Sequence, residues 1–352
     1  MKTLGYAAQS ASSPLAPFHF ERRSLRPNDV SIEVLYCGVC HSDLHMARND
    51  WGWSFYPLVP GHEVVGRVTE VGAEVKKYKV GDLVAVGCMV DSCQNCDQCK
   101  KGLEQYCREG NTQTYGGRDR ITCEPTYGGY SKQLIVREEF ALRVPESLDL
   151  ARVAPLLCAG ITTYSPLKAW NAGPGSRVGV VGLGGLGHMA VKLAKGLGAD
   201  VTVLSRTKAK EVDALKLGAS RLLVSSDTDA MAKAKSSFDL IIDTVPVKHD
   251  VNPYLPLLDV DATLVLVGQV GPLNEIHTAG LLLGRRRVAG SIIGGIPETQ
   301  EMLDFCASKG ILPDCEMIRM DQIGEAFGRM ERADVRYRFV IDMASLAEPK
   351  AA

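Results

Sequence analysis

The sequence lacks a large excess of charge, a long apolar run and any sign of an export signal. Among 352 residues, Lys+Arg number 40 and Asp+Glu number 41, which leaves a formal net charge of -1. No global field would therefore draw the protein to nucleic acid or to an anionic membrane. No run approaches the roughly 20 apolar residues of a membrane span, and residues 1–10 lack the apolar core of a signal peptide. These absences predict a cytoplasmic protein that binds neither nucleic acid nor membranes.

Aromatic residues are also few, at 6%, but hydrophobic residues make up 45% and charged residues 23% of the chain. Such proportions are those of an ordinary globular protein. A chain of 352 residues is longer than one hydrophobic core usually organises. Two domains are therefore expected.

Two different patterns follow each other along the chain. From Val30 to about Val136, short alternating strands separated by Gly and Asp turns indicate an irregular β-rich domain resembling a barrel. The strands predicted there are 30–35, 64–71, 83–86 and 130–136. After Pro155, apolar strands alternate with segments of helical length, which is typical of a six-stranded, doubly wound parallel sheet in an α/β fold. The predicted strands of that sheet are 177–181, 201–204, 222–224, 239–242, 263–267 and 288–292.

Four cysteines stand close together at Cys93, Cys96, Cys99 and Cys107. Their spacing allows four thiolates to surround one tetrahedral Zn²⁺, and a zinc held by four protein ligands is structural because it has no open position. An iron–sulfur cluster is an alternative, but ferredoxin-like runs place the fourth cysteine sooner and follow it with proline, whereas Arg108 follows here. Disulfides are a further alternative, which would require an oxidising compartment.

A glycine-rich turn directly follows the apolar strand 177–181. It contains Gly182, Gly184, Gly185, Leu186 and Gly187, and a helical segment begins at His188. In a dinucleotide site the first glycine permits the tight turn, the second lets the backbone approach the pyrophosphate, and the third lets the helix pack closely on the strand. This strand, turn and helix therefore predict a dinucleotide site, the alternative being a glycine-rich turn without a ligand.

The end of the next strand determines which dinucleotide is bound. An acidic residue there holds the adenosine 2′-hydroxyl of NAD, whereas a cation accommodates the 2′-phosphate of NADP. The chain has no carboxylate at this position and instead offers Ser205, Arg206, Thr207 and Lys210. We therefore expect NADP(H), unless Arg206 is only a surface cation.

A second metal site is predicted from three separated segments. Cys40 follows Cys37, His62 precedes Glu63, and Cys158 stands at the junction between the two patterns. Catalytic zinc takes three protein ligands and leaves one position for water or substrate. Cys40, His62 and Cys158 would meet that need, although each alone has a structural explanation as a buried thiol or a turn histidine.

Together these motifs resemble the zinc-dependent medium-chain dehydrogenase/reductase family, and most closely its cinnamyl-alcohol-dehydrogenase branch with the bacterial broad-specificity aldehyde reductases. The resemblance spans nearly the whole chain. It implies a GroES-like catalytic domain of residues 1–158 completed by 297–352, a Rossmann cofactor domain of residues 159–296, and an active site in the cleft between them. It also implies a homodimer built on the edges of the cofactor sheets.

The resemblance assigns roles residue by residue. It implies that Cys40, His62 and Cys158 bind the catalytic zinc, that Glu63 is an intermittent ligand and that Asp43 orients His62. Ser42 and His45 are similar to the family's proton relay. The positions similar to cofactor contacts are His41, Thr162, Val267, Gly268, Ser291, Ile292, Ile293 and Arg336, and those similar to the substrate channel are Asp50, Trp51 and Trp53.

The implied reaction is a reversible hydride transfer between NADPH and an aldehyde, which gives a primary alcohol, with two zinc ions per chain. The two tryptophans suggest a pocket that tolerates aromatic aldehydes. Plant members have an aromatic residue where this chain has Thr112, which argues against a monolignol role. A zinc polyol dehydrogenase is an alternative, as is a cofactor-binding protein without turnover.

Overall fold

A computed structural model of the chain describes residues 1–269, 271–273 and 275–347. The chain divides into two compact units, one of Met1–Cys158 with Gly294–Ala352 and the other of Ala159–Ile293. Residues 348–352 of the predicted first domain lie outside the described residues. None of the described helices is long and apolar enough to cross a membrane.

The first unit is rich in short strands. Its strands before residue 158 are β1 (Lys2–Ala7), β2 (Ala16–Glu21), β3 (Asp29–Val39), β4 (Val64–Val71), β5 (Leu83–Val86), β6 (Met89–Asp91), β7 (Thr112–Gln113), β8 (Gln133–Arg137) and β9 (Leu142–Arg143). Its helices in the same range are α1 (His41–Arg48) and α2 (Leu150–Val153). Short 3-10 helices cover Cys99–Lys101, Glu104–Tyr106, Glu138–Phe140 and Ala154–Leu157.

The second unit alternates strands and helices. Its strands are β10 (Arg177–Val181), β11 (Asp200–Ser205), β12 (Arg221–Val224), β13 (Phe238–Asp243), β14 (Leu258–Leu266) and β15 (Arg287–Gly290). Its helices are α3 (Ala159–Ala169), α4 (Gly187–Leu197), α5 (Glu211–Leu217), α6 (Thr228–Lys233) and α7 (Thr278–Leu282), with 3-10 helices at Lys208–Lys210 and Asn252–Leu257. The described strands form one parallel sheet in the order β12-β11-β10-β13-β14-β15.

This strand order confirms the predicted doubly wound sheet. The chain leaves β10 toward one edge through β11 and β12 and then returns to the other side of β10 with β13. Ligands of such sheets bind outside the carboxyl ends of the strands, where the order reverses. A cofactor site is therefore expected at the loops after β10, β11 and β13.

The chain then returns to the first unit. This last part contains α8 (Ile296–Lys309), β16 (Cys315–Arg319), α9 (Ile323–Glu331) and β17 (Arg338–Asp342), with 3-10 helices at Met320–Gln322 and Met343–Ser345. β17 pairs with β3, with Phe339 opposite Val39, and extends a sheet of order β16-β17-β3-β4-β5-β9 to which β8 is added beside β3. β17 and β3, which lie far apart in the sequence, thus pair in one sheet, next to the point where the chain passes from β3 into α1.

Some predicted boundaries shift in the structure. Predicted strands 64–71, 83–86 and 177–181 agree with β4, β5 and β10. The segment predicted to be a strand from Tyr130 begins only at Gln133, because the preceding turn is held by a side chain. The buried Arg22 guanidinium donates hydrogen bonds to the Gly128 carbonyl at 2.8 Å and the Ser131 hydroxyl at 2.7 Å.

Candidate active site and metal centres

Four buried side chains of the first unit converge at one point. Their ligand atoms, from Cys40, His62, Glu63 and Cys158, all lie within 4.8 Å of one another. The Cys40 and Cys158 sulfurs are 3.8 Å apart. Two sulfurs of a tetrahedral site with Zn–S bonds of about 2.3 Å lie roughly 3.8 Å apart, so the pair has the spacing that zinc requires.

Local structure explains how residues from separate segments reach this point. Cys40 lies between β3 and α1, His62 and Glu63 lie just before β4, and Cys158 follows the 3-10 helix Ala154–Leu157. Because β3 and β4 are paired antiparallel neighbours, with Cys37 opposite Val64, the segments carrying Cys40 and His62 lie side by side.

A buried carboxylate holds this arrangement. Asp43 is fully buried, and its Oδ1 accepts hydrogen bonds from the Gly61 amide at 3.1 Å and from His62 Nδ1 at 3.2 Å. Its Oδ2 accepts from the Cys40 amide at 2.9 Å and the Tyr130 hydroxyl at 3.1 Å. With Nδ1 of His62 engaged in this way, Nε2 is the nitrogen left with a lone pair for a metal.

The charges of the cluster favour a cation. Burial alone would lower the pKa of His62, but Asp43, Cys88 and Cys40 hold it well above its usual range. The hydrogen bond from Cys158 lowers the pKa of the Cys40 thiol well below its usual range, and His62 acts in the same direction. The buried carboxylate and thiol groups thus stabilise positive charge at this point, which is the property of a zinc ligand set.

Glu63 has a partner that the sequence reasoning missed. Arg338 of β17 is buried and its Nη2 donates to Glu63 Oε1, while among the described residues Glu63 Oε2 has no hydrogen-bond partner. Burial raises the pKa of Glu63, whereas Arg338 opposes that effect. A Cβ at Gly38 would lie 1.9 Å from Oε2, so this glycine makes room for the carboxylate.

A signal for Arg338 exists in the sequence. Arg338 begins the apolar strand Arg338–Asp342, whose first four residues are buried, and an arginine in such a strand needs a counter-ion. Arg336, which was expected near the pyrophosphate, has its guanidinium carbon 5.8 Å from the centre of the Tyr337 ring.

The predicted proton relay and substrate residues lie along α1 and just after it. The Cys40 sulfur is 3.6 Å from the Ser42 hydroxyl oxygen, and His45 Nδ1 lies 2.8 Å from Asp50 Oδ2. The His45 and Trp51 rings are 5.4 Å apart, as are the Trp51 and Trp53 rings. Asp50 thus contacts the histidine predicted to exchange protons, and the two indoles continue from the same ring toward the surface, where Trp53 is 55% exposed.

The segment after the four clustered cysteines, here called the cysteine ladder (93–107), supplies another residue that was not predicted from the sequence. β7 pairs with β6, and the buried Tyr115 that follows has its ring 5.6 Å from that of His62. Burial, then Asp43, raises the pKa of the Tyr115 phenol well above its usual range. No local pattern distinguishes Tyr115 from other tyrosines, because its role depends on the β6–β7 pairing.

The four cysteines of the predicted structural site also come together. The ligand sulfurs of Cys93, Cys96, Cys99 and Cys107 lie within 4.8 Å of one another, and those of Cys93 and Cys99 are 3.8 Å apart. Backbone amides point at the sulfurs: Cys96 donates to Cys93 at 3.3 Å, and Arg108 donates to Cys96 at 3.4 Å. The Arg108 and Cys99 amides lower the pKa of Cys96 to about 6. Four such thiolates suit a structural zinc and leave no position for substrate.

In the second unit, the glycine turn after β10 has the shape of a pyrophosphate site. Gly182 has a φ of 86°, in the left-handed region that favours glycine. A Cβ on Gly187 would lie 2.2 Å from the Gly182 carbonyl oxygen, whereas a Cβ on Gly184 would meet open space. α4 begins directly after this turn without a side-chain cap at Leu186, and the start of a helix is a favourable place for an anion.

The loop after β11 carries the predicted selectivity residues. Arg206 and Thr207 are exposed, Ser205 is half-buried, and Lys210 Nζ donates to the Leu183 carbonyl at 2.8 Å. In the described part of the chain, no hydrogen bond or ion pair engages the Arg206 guanidinium. Position, exposure and charge together fit a 2′-phosphate.

The other predicted cofactor contacts fall in several places. Thr162 is buried in α3, and its Oγ1 has no hydrogen-bond partner among the described residues. The Val267 amide donates to the Asp243 carbonyl at 3.0 Å and the Ser291 amide to the Leu266 carbonyl at 3.1 Å, both at the carboxyl end of the sheet. Ile293 is buried whereas Ile292 is 57% exposed. Gly268 and Gly185 lie in the loops after β14 and β10, and His41 is a half-buried residue of α1 in the first unit.

Known proteins resemble this chain over almost its whole length. Residues 26–146 match the family described as alcohol dehydrogenase GroES-like domain, and residues 185–308 match zinc-binding dehydrogenase. The NADP-dependent alcohol dehydrogenase C 1 of Mycolicibacterium smegmatis is 55% identical, with 97% of this chain and 98% of the relative covered. The chain belongs to the zinc-dependent medium-chain dehydrogenase/reductase family.

Two further relatives lie within the same family. The aldehyde reductase YahK of Escherichia coli is 53% identical to this dehydrogenase over 99% of the chain and 100% of the relative. A solved cinnamyl alcohol dehydrogenase from Sorghum bicolor has a TM-score of 0.96 and 47% identity, with 99% of this chain and 100% of that chain covered. The predicted family, the GroES-like and Rossmann folds and the oxidoreductase class are confirmed.

Proposed function

We propose that this dehydrogenase is an NADP-dependent aldehyde reductase that interconverts aldehydes and primary alcohols. One observation carries the proposal: Cys40, His62 and Cys158 converge in a buried cluster that offers three protein ligands to a metal and so leaves one position for substrate. The names of the similar Mycolicibacterium and Escherichia coli proteins support the same reaction.

Zinc and NADP(H) are the cofactors. Cys40, His62 and Cys158 would hold the catalytic zinc, with Glu63 as an intermittent ligand. The structural zinc would be held by Cys93, Cys96, Cys99 and Cys107. Gly182, Gly184 and Gly187 with the start of α4 would receive the pyrophosphate, and Ser205, Arg206 and Thr207 the 2′-phosphate. When bound, zinc supplies a Lewis acid that polarises the carbonyl group, and NADPH supplies the hydride.

Ser42 and His45 transfer the proton that the reaction needs. The Ser42 hydroxyl, 3.6 Å from the Cys40 sulfur, donates to the substrate oxygen the proton that, with the hydride, completes the alcohol. Ser42 and His45 are three residues apart on α1 and so share a helix face. His45 is half-buried and bonded to Asp50, so it can return a proton from solvent to Ser42.

The substrate class is broad and includes aromatic aldehydes. His45, Trp51 and Trp53 form a continuous row of rings with 5.4 Å between neighbours. Flat aromatic side chains of this kind favour flat apolar substrates. The row begins at the proposed relay histidine, which supports a role in guiding a cinnamyl-type aldehyde.

A homodimer fits the second unit. β15 ends the sheet order, so one of its edges has no partner strand among the described residues. Near it, Leu282 is 79% exposed, Leu283 86% and Ile292 57%. An edge strand with apolar neighbours is a pairing surface for a second copy.

A cytosolic location follows from the thiols. All eleven cysteines are unpaired, and both cysteine clusters need reduced thiols to bind metal. Reducing compartments maintain that state.

A spectrophotometric panel tests the proposal. The purified enzyme is given NADPH or NADH with an aliphatic, an aromatic and a sugar aldehyde, before and after a zinc chelator. We expect NADPH oxidation with the aliphatic and aromatic aldehydes, and its loss with the chelator. Activity that survives removal of both zinc ions, or that requires the sugar, would contradict the assignment.

A paired variant tests the cofactor assignment. Arg206→Ala removes the exposed guanidinium, while Lys208→Ala removes another exposed cation of the same loop and serves as control. Arg206→Ala should raise KM for NADPH more than KM for NADH, and the control should change neither appreciably. An equal rise for both cofactors would show that Arg206 does not select the 2′-phosphate.

A further inference from the structure

The cysteine ladder is closed at its base by a short strand pair. β6 ends at Asp91, β7 begins at Thr112, and these two residues face each other across the antiparallel pair. Inside this base, the Cys93 amide donates to the Cys107 sulfur at 3.5 Å, so the two ends of the ladder also meet. The ladder and the strand pair therefore form one continuous hairpin.

The strand pair is too short to be stable without the ladder. β6 has three residues and β7 has two, and they form a two-stranded sheet of their own. Isolated two-stranded pairs are marginally stable in water, and closing the loop of residues 92–111 between these strands adds an entropy cost. Four ligands on one zinc ion would cross-link that loop and offset the cost. Metal binding by the ladder should therefore stabilise the pairing of β6 with β7.

The same strand pair fixes the backbone on both sides of Tyr115. Directly before it, Thr114 donates its amide to the Cys88 carbonyl at 3.0 Å and its hydroxyl to the Gly87 carbonyl at 2.5 Å. Directly after it, Gly116 turns the chain with a φ of 65°, in the left-handed region that favours glycine. The pairing of the two strands therefore determines where the Tyr115 side chain begins.

Tyr115 packs on the imidazole of His62. The ring centres are 5.6 Å apart and the ring planes are tilted by 32°, a separation typical of interacting aromatic rings. Both side chains are buried. The hydrogen bond between Nδ1 and Asp43 fixes one atom of the imidazole, about which the ring could still pivot. The Tyr115 ring opposes that pivot and so keeps Nε2 directed at the sulfurs of Cys40 and Cys158.

We propose that the cysteine ladder, through β6, β7 and Tyr115, holds the His62 imidazole in the orientation that binds the catalytic zinc. Tyr115 is a positioning residue, since it acts through His62 and not on the substrate. The inference rests on the proposed function, and in particular on its zinc ligands. It gives the four-cysteine site a role beyond stabilising the fold, because release of the catalytic zinc then depends on whether the ladder is closed.

The test measures how fast each zinc ion passes from the full-length enzyme to a chromogenic chelator. His62→Ala lacks the catalytic site, so the release phase that is missing in this variant belongs to the catalytic zinc. Tyr115→Leu removes the ring, and Tyr115→Phe keeps it. Tyr78→Leu is the matched control, because Tyr78 is a half-buried tyrosine of the same unit that lies in the segment before β5.

Tyr115→Leu should speed release of the catalytic zinc by about twofold to tenfold, the range that one aromatic contact sets. Tyr115→Phe should restore most of the wild-type rate, and Tyr78→Leu should keep it. Urea unfolding of the same variants separates this effect from a general loss of stability, which the control also reports.

A double-variant cycle tests whether the ladder acts through Tyr115. Cys96→Ser removes one ladder ligand and should also speed release of the catalytic zinc. With Cys96→Ser and Tyr115→Leu combined, release should be no faster than in the faster single variant, because both changes break the same link. If Cys96→Ser does not fold, Thr114→Val takes its place, since it removes the hydroxyl bond to the Gly87 carbonyl and leaves the four thiols unchanged.

Release at the wild-type rate from Tyr115→Leu or from the ladder variant would overturn the inference. Rates that multiply in the combined variant, or an equal acceleration in Tyr78→Leu, would overturn it as well. Failure of the proposed function looks different. In that case the wild-type enzyme holds a single zinc ion, or His62→Ala retains both release phases.

Discussion

Asp43→Asn is the substitution with the sharpest expected effect on the catalytic zinc. Asp43 has no exposed surface and accepts four hydrogen bonds, two on each carboxylate oxygen. Asparagine has the same shape but keeps only one of those oxygens and presents an NH2 group in place of the other. Two of the four groups that donate to Asp43 must then face the NH2 group, which is itself a donor.

Either orientation of the asparagine is costly. If the NH2 faces Cys40 and Tyr130, the tyrosine hydroxyl can turn and accept, but the buried Cys40 amide loses its partner, which costs about 1–3 kcal/mol. If the NH2 faces His62, the imidazole must take the other tautomer, and Nε2 then carries a hydrogen where the metal needs a lone pair. We expect zinc affinity to fall about 10- to 100-fold, the usual cost of losing such a partner.

The assay is a chelator titration with metal content measured after each step, combined with urea unfolding. Asp50→Asn is the matched control, because Asp50 also accepts from a histidine but is exposed. The control should hold both zinc ions as wild type does. An Asp43→Asn enzyme that retains its second zinc at wild-type chelator concentrations, with unchanged unfolding, would refute the reasoning.

Three further outcomes follow from the structure. Burial opposes ionisation of Asp119, but Arg26 and two backbone amides hold the pKa of this carboxyl below its usual range. The contribution of Asp119 to the stability of the fold is thus present above about pH 4 and is lost on acidification. Asp119→Asn should therefore lower the free energy of unfolding at neutral pH, and its unfolding curve should converge with that of wild type in acid. Glu104 is buried and accepts from the Ile296 amide at 2.9 Å at the start of α8, so Glu104→Ala, which removes the acceptor, should cost about 1 kcal/mol in urea unfolding; a wild-type midpoint would exclude the cap. Gly187→Ala places a Cβ 2.2 Å from a backbone carbonyl oxygen, so it should weaken 5′-ADP binding in calorimetry, and unaltered binding would mean that the turn relaxes freely.

Short-range motifs were the most predictable part of the molecule. The cysteine ladder and the glycine turn each lie within one loop, so residue spacing alone constrains their geometry. Apolar runs bounded by glycine likewise placed β4, β5 and β10 correctly, because buried strands of a parallel or paired sheet tolerate few other residues.

Long-range partners were less predictable. Arg338 lies 275 residues from Glu63 along the chain, and only the pairing of β17 with β3 brings the two together. Tyr115 contacts His62 through the short β6–β7 pairing, for which the sequence has no periodic signal. Asp50 was expected at the substrate, and its contact with His45 depends on the turn that ends α1.

Zinc stoichiometry measured together with turnover tests the central claim most directly. The wild-type enzyme should contain two zinc atoms per chain, and His62→Ala should contain one, with NADPH-dependent aldehyde reduction abolished and 5′-ADP binding intact. A wild-type enzyme with a single zinc held by Cys93, Cys96, Cys99 and Cys107, or a His62→Ala enzyme that still reduces aldehydes, would contradict the account.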